Sequence, residues 1–190
     1  PSYLHVIEAA HREGREYISG TIIAEELELE PIQVRKDLAL TGVVGRPRLG
    51  FRVEDLIAAI NSFLQWNQVR RAVVVGAGNL GTALMGYGEF GRHGMEIVAA
   101  CDADPRKVGT TVSGRKIVSP AELPEFVARE KVTLAILTVP SSAAQETAEF
   151  LVEAGITAIW NFTNVKLKLP AKVIVQKEDL SSGYAVLSVK

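Results

Sequence analysis

The stretch Val73-Val74-Val75-Gly76-Ala77-Gly78-Asn79-Leu80-Gly81 decides how the rest of the chain is read. A β-branched run stops at a glycine, and glycines 76, 78 and 81 stand at the spacing G-x-G-x-x-G. In a strand–turn–helix, the first glycine allows the tight turn and the second lets backbone approach a pyrophosphate. The third lets the helix pack closely on the sheet. The new helix would present backbone N–H groups and its positive dipole end to phosphates. Leu80, Ala83, Leu84 and Tyr87 continue at helical spacing, and a second apolar run, Ile97 to Cys101, ends at Asp102. An acidic residue about 20 positions past the glycines is placed to accept from ribose hydroxyls. It would repel a 2′-phosphate, so the expected ligand is NAD(H) rather than NADP(H), with Arg106 and Lys107 the nearby cations bearing on that choice.

Downstream, Ala103-Asp104-Pro105 signals a turn, Arg115 to Val118 a short extended piece, and Ser119-Pro120 the opening of a helix to Glu130. Thr133 to Val139 has the composition of a buried parallel strand. Pro140 ends it, and Ser141 or Ser142 caps a helix to Glu153. Ala158 to Phe162 and Lys172 to Val175 read as further strands. Ligands of such sheets lie beyond the carboxyl ends of the strands. The candidate cofactor-binding residues are therefore Gly76, Gly78, Asn79, Leu80, Gly81, Asp102 and Asp104, with Thr138, Val139, Pro140, Asn161 and Phe162 across the crevice.

Upstream, Leu4, Val6, Ile7 and Ala10 recur at helical spacing, and Gly14 closes that helix. Ser19 or Thr21 caps a second helix carrying Ile22, Ile23 and Leu27. Pro31 opens a third, Ile32 to Leu40, in which Ile32, Val34 and Leu38 are expected to pack inward and Gln33, Arg35 and Lys36 to face elsewhere. Two helices joined by a tight turn, the second polar between apolar anchors, make a helix-turn-helix pattern. Gly42 to Phe51 reads as a β-hairpin wing with Arg46 and Arg48 at its tip. Between Pro31 and Arg52 the cations Arg35, Lys36, Arg46, Arg48 and Arg52 face only Asp37, whereas residues 1–30 set Arg12 and Arg15 against seven glutamates. A locally basic face on an acidic module suits phosphate contacts. A further helix, Val53 to Leu64, carries Leu56, Ile57, Ile60, Phe63 and Leu64 on one face. The expected organisation is a winged helix over 1–66, an α/β Rossmann-like parallel sheet over 67–177, and a short C-terminal helix over 178–190.

With 190 residues, 47% of them hydrophobic, and a formal net charge of −1, the chain can bury a substantial core and is not basic overall. No apolar run approaches the roughly 20 residues that span a bilayer. No charged segment followed by an apolar one opens the sequence, so no membrane partner is expected. The single Cys101, inside a strand pattern, reads as a core residue and fits a reducing cytoplasm. His5, His11 and His93 lie in solvated positions, and no acid–base pair or metal-ligand cluster stands out. No catalytic and no metal-binding residues are therefore assigned, and the cofactor is expected to be bound without being turned over.

Taken together, these features resemble the Rex family of redox-sensing transcriptional repressors. The resemblance rests on Gln33-Val34-Arg35-Lys36-Asp37-Leu38, the glycine turn, Asp102-Ala103-Asp104-Pro105, Thr138-Val139-Pro140 with Ala143-Ala144-Gln145, and Asn161-Phe162. It implies a homodimer that binds palindromic operator DNA through Gln33, Arg35 and Lys36 and releases it when NADH occupies the Rossmann site. It also implies that Tyr87 and Asp179 couple nucleotide state to domain orientation, and that the tail helix crosses to the partner subunit. Leu40-Thr41-Gly42-Val43-Val44-Gly45 departs from the aromatic, glycine-containing run common in the family. The competing readings are an NAD-dependent oxidoreductase with a pocket between subunits, a CoA- or nucleotide-binding module on the same core, and an adaptor that never meets DNA.

Overall fold

The computed structural model describes residues 1–179 together with Ser181, Tyr184, Leu187 and Ser188. They form two compact units, Pro1–Gln68 and Val69–Lys190. The helix expected over 178–190 lies in good part outside the described residues, Leu180 included.

The first unit contains α1 (Ser2–Arg12), β1 (Tyr17–Ile18), α2 (Gly20–Glu26), α3 (Pro31–Ala39), β2 (Phe51–Arg52) and α4 (Val53–Phe63). The two strands pair antiparallel, Tyr17 opposite Arg52 and Ile18 opposite Phe51. The helices meet because each buries a stripe at i, i+3, i+4 spacing: Leu4, Ile7 and Ala10 from α1, Val34 and Leu38 from α3, Val53, Leu56 and Ile60 from α4. Gly14, at φ +77°, ends the α1 region, and its N–H donates to the His11 carbonyl at 3.0 Å. Ser19 caps α2, its Oγ accepting from the Ile22 N–H at 3.1 Å.

Two expectations about inward-facing residues fail here. Ile32 is 64% exposed rather than inward-facing. At 100° per residue it stands roughly opposite Val34, and the buried ridge is the i, i+4 pair Val34 and Leu38. Phe63 is 55% exposed although it keeps the phase of Leu56 and Ile60: the buried row of α4 ends at Ile60, and Phe63 is the last residue of the helix. The wing is also smaller than expected: a single bridge joins Arg46 to Gly50, which leaves Arg48 at the tip and Arg46 at the base.

In the second unit the elements are β3 (Arg70–Val75), α5 (Asn79–Met85), α6 (Glu89–Arg92), β4 (Met95–Cys101), β5 (Thr111–Val112), β6 (Arg115–Val118), α7 (Leu123–Glu130), β7 (Leu134–Leu137), a 3-10 turn at Ser141–Ala143, α8 (Ala144–Glu153), β8 (Ala158–Asn161) and β9 (Ile174–Lys177). The sheet order is β5-β6-β4-β3-β7-β8-β9, all neighbours parallel except β5 with β6. Without the β5 edge this is the 3-2-1-4-5-6 order of a doubly wound dinucleotide fold. The fold class read from the sequence is thus the one observed. The last strand starts two positions later than expected, at Ile174, and α7 starts at Leu123, because Ser119 to Glu122 form a hydrogen-bonded turn first. β3 is buried on both faces, Val73 and Val75 toward one side of the sheet and Ala72 and Val74 toward the other. Its carboxyl end, beside that of β7, is the point where the strand order reverses.

Candidate functional site

At that reversal the chain turns through Gly76, whose φ of +98° favours glycine. A Cβ on Gly76 would lie 2.9 Å from the Thr138 carbonyl, and one on Gly81 only 2.0 Å from the Gly76 oxygen. The molecule's own backbone therefore requires both. Gly78 differs: its φ is −83°, and a Cβ there would meet nothing within 4 Å. Neither backbone angle nor packing demands a glycine at 78, and what its missing side chain leaves is clear approach to the backbone from outside. Thr138 latches the turn, its Oγ1 donating to the Gly76 carbonyl at 2.8 Å and to Val75 at 3.1 Å.

A cleft of about 400 Å³ opens beside the turn, of a size that holds small ligands. Gly76, Asp102, Val139 and Pro140 line it, and so do Leu123 and Phe150, which sequence reading did not single out. The signal was available: Ala143, Glu146, Thr147 and Phe150 repeat at helical spacing just after the Val139-Pro140 strand end.

Asp102 is engaged from three sides. Its Oδ2 accepts from the Ala77 N–H at 2.8 Å and from Lys107 Nζ at 2.9 Å, and its Oδ1 accepts from the Asp104 N–H at 2.8 Å. Burial alone would raise its pKa, but these donors outweigh that and hold the carboxyl below its ordinary value. Asp104 is paired with Arg106, whose Nε and Nη2 donate to it at 3.0 and 2.7 Å, and its pKa falls to about 2. The two cations nearest the strand end are therefore both bound to carboxylates. Cys101 lies behind them, buried, its thiol pushed up to about 12 by burial and by the charge of Asp102.

Asn161 and Phe162 take different places. Asn161 is 0% exposed, and its amide shapes the loop, accepting from the Thr163 N–H at 2.9 Å and donating to the Val165 carbonyl at 2.9 Å. Phe162 ends a chain of rings: Tyr87 to Phe90 at 4.8 Å, Phe90 to Trp160 at 5.6 Å, Trp160 to Phe162 at 5.1 Å. The Trp160 indole N–H donates to Glu178 at 2.8 Å, and Asp179 accepts from the Ser181 N–H at 3.0 Å. Among the described residues no cluster of His, Cys, Asp and Glu is arranged to hold a metal ion, and no helix is long and apolar enough to cross a membrane.

On the first unit, Gln33, Arg35 and Lys36 are exposed on α3. Arg46 is held in place, its guanidinium 5.5 Å from the Tyr17 ring centroid and donating to the Tyr17 hydroxyl at 2.7 Å. Arg48, at φ +65°, projects from the wing tip and is exposed.

The family model for "CoA binding domain" matches residues 67–165, and that for "Putative DNA-binding protein N-terminus" matches residues 1–39. A redox-sensing transcriptional repressor Rex of Treponema denticola is 58% identical over 189 residues, covering 100% of this chain and 90% of that protein. Its counterpart in Porphyromonas gingivalis is 38% identical over 187 residues, covering 98% and 86%. Among solved structures, the Rex-family repressor RSP superposes in its complex with NAD⁺ and operator DNA at a TM-score of 0.92, with 32% identity over 98% of this chain and 86% of that one. Its complex with NADH gives 0.88, with 31% identity over 98% and 87%. These relatives are named as repressors, not enzymes, and the oxidoreductase reading gives way to theirs. With that likeness spanning nearly its whole length, the chain belongs to the Rex family of redox-sensing transcriptional repressors.

Proposed function

We propose that this chain is an NADH/NAD⁺-responsive repressor that binds palindromic operator DNA as a homodimer in the cytoplasm and lets it go when NADH binds. The observation that carries the reading is Gly78, a glycine with no demand from the chain, in a turn whose other two glycines the backbone requires. The residues fit a dinucleotide. In the turn Gly76-Ala77-Gly78-Asn79-Leu80-Gly81 the first two N–H groups are given to Cys101 and Asp102, and those from Gly78 onward are offered to a pyrophosphate. Asp102 and Asp104 stand at the end of β4, where the adenosine ribose of such folds lies. With Lys107 and Arg106 already paired to these carboxylates, no uncommitted cation of this pair awaits a 2′-phosphate, which favours NAD(H). Val139 and Pro140 line the opposite side of the cleft, and on this reading Thr138, Asn161 and Phe162 border the cofactor beyond them, Asn161 through the loop it shapes.

The bound cofactor supplies a ring whose charge differs between its two redox states. An apolar surround near Phe162 disfavours the cationic form, since burying an unpaired charge is costly. The protein then needs two arrangements, one of which the reduced form selects, with Tyr87 and Asp179 transmitting the choice and the tail joining the two subunits. Gln33, Arg35 and Lys36 face the operator, Gln33 and Arg35 toward base edges of the major groove and Lys36 toward a phosphate, while Arg46 and Arg48 take phosphate or minor-groove positions. A labelled inverted-repeat duplex, titrated with the protein and then with NAD⁺ and NADH in turn, tests this. Operator affinity is expected to survive NAD⁺ and fall about tenfold or more with NADH; affinity indifferent to NADH, or strengthened by it, overturns the proposal. The CoA-binding module stays the second reading because of the match over residues 67–165, and it expects retained CoA with no operator affinity.

A further inference from the structure

Gln33 does not face outward alone. Asp37 lies one helical turn along α3, and the Gln33 Nε2 donates to its Oδ1 at 2.7 Å. The other carboxylate oxygen accepts from the Tyr3 hydroxyl, which reaches across from α1. Tyr3 is half-buried against the core of the first unit. Burial and the neighbouring Asp37 push its pKa up to about 12, so it remains a donor at physiological pH. A Gln–Asp pair at i, i+4 steadies any helix, but that does not call for a second helix to grip the same carboxylate.

The chemistry of the contact fixes an orientation. A carboxylate only accepts, so the NH₂ end of the Gln33 amide must face Asp37 and the carbonyl end must turn away. One Nε2 hydrogen is taken. The second hydrogen and Oε1 lie side by side on the amide's free edge. A donor beside an acceptor in that order complements N7 and the N6 amino group of adenine in the major groove. We propose that Asp37, braced by Tyr3, is a positioning residue that presets the Gln33 amide to read an adenine. The inference rests on the DNA-binding role proposed above.

The test selects bound sequences from a double-stranded library with randomised inverted-repeat half-sites. It compares the full chain with Gln33→Ala, Asp37→Asn and Tyr3→Phe, each checked for folding by circular dichroism and thermal melting. The unaltered chain is expected to enrich A·T at one position per half-site, and Gln33→Ala to erase that preference alone. Asn at 37 offers both a donor and an acceptor and so tolerates either amide orientation. Asp37→Asn should therefore lower the preference at that position about tenfold and leave the others unchanged. Tyr3→Phe should lower it less. Full preference at that position in Asp37→Asn, or an equal loss at every position, overturns the proposal, the latter by showing a merely structural role. If Asp37→Asn does not fold, Tyr3→Phe decides: an unchanged preference overturns the proposal. Enrichment by the unaltered chain that Gln33→Ala leaves intact overturns this inference while the DNA-binding reading stands. No enrichment by the unaltered chain removes both.

Discussion

The glycine turn of the second unit and the α3 face of the first are built on opposite plans. In the turn, backbone dictates the residues: Gly76 and Gly81 sit where any Cβ collides with main chain, and Thr138 ties the loop shut. On α3, side chains do the work on a helix that would form with many sequences, and what matters is which of them are held by neighbours. The contrast teaches that a site made of backbone announces itself through glycine spacing. A site made of side chains hides its organisation in contacts between distant residues.

The largest expected effect breaks the turn itself. Gly81→Ala should cost about 3 kcal/mol, as overpacking against unyielding backbone does. Gly78→Ala should change stability by less than about 0.5 kcal/mol while weakening NADH binding. Thermal melts of both variants, with an NADH titration of the second, check the pair, and equal destabilisation would erase the distinction between the two glycines.

Next comes Asp102→Ala. The side chain accepts two backbone N–H groups as well as Lys107, so its removal should cost about 1–3 kcal/mol of stability and also weaken NADH binding. At a temperature where the variant is folded, operator affinity should be retained. Loss of operator binding there would make the residue a general support for the fold and not part of a nucleotide site.

On the other region, Lys36→Ala should weaken binding across DNA sequences alike and reduce the slope of log affinity against log salt by about 1. An unchanged slope would mean that Lys36 meets no phosphate. The smallest effect is chemical. With its thiol held at about 12 and buried, Cys101 should resist alkylation at pH 8 in the folded protein and react promptly once denatured. Rapid labelling of the native protein would show that the β4 end opens.

Much of the fold was legible because strands β3, β4 and β7 are nearly continuous apolar runs and the turn glycines are fixed by spacing. The candidate site was legible in outline for the same reason. What escaped was set by side-chain contacts and by helical phase. The pairing of Lys107 with Asp102 joins residues whose ion pair no spacing rule singles out. Tyr3 and Asp37 are far apart in sequence. The outward Ile32 follows from helical phase, which apolar composition alone misjudges. The extended piece expected over Arg115 to Val118 is β6, but its antiparallel partner β5 was missed because a two-residue strand carries no periodicity.

The central claim is that reduced dinucleotide, held over the glycine turn, weakens the grip of α3 on DNA. The most direct test measures operator affinity with and without saturating NADH, in the unaltered chain and in Gly78→Ala. NADH should lower the affinity of the unaltered chain and leave that of Gly78→Ala nearly unchanged at the same concentration. An unaltered chain that ignores NADH, or a Gly78→Ala variant that responds just as strongly, would contradict it.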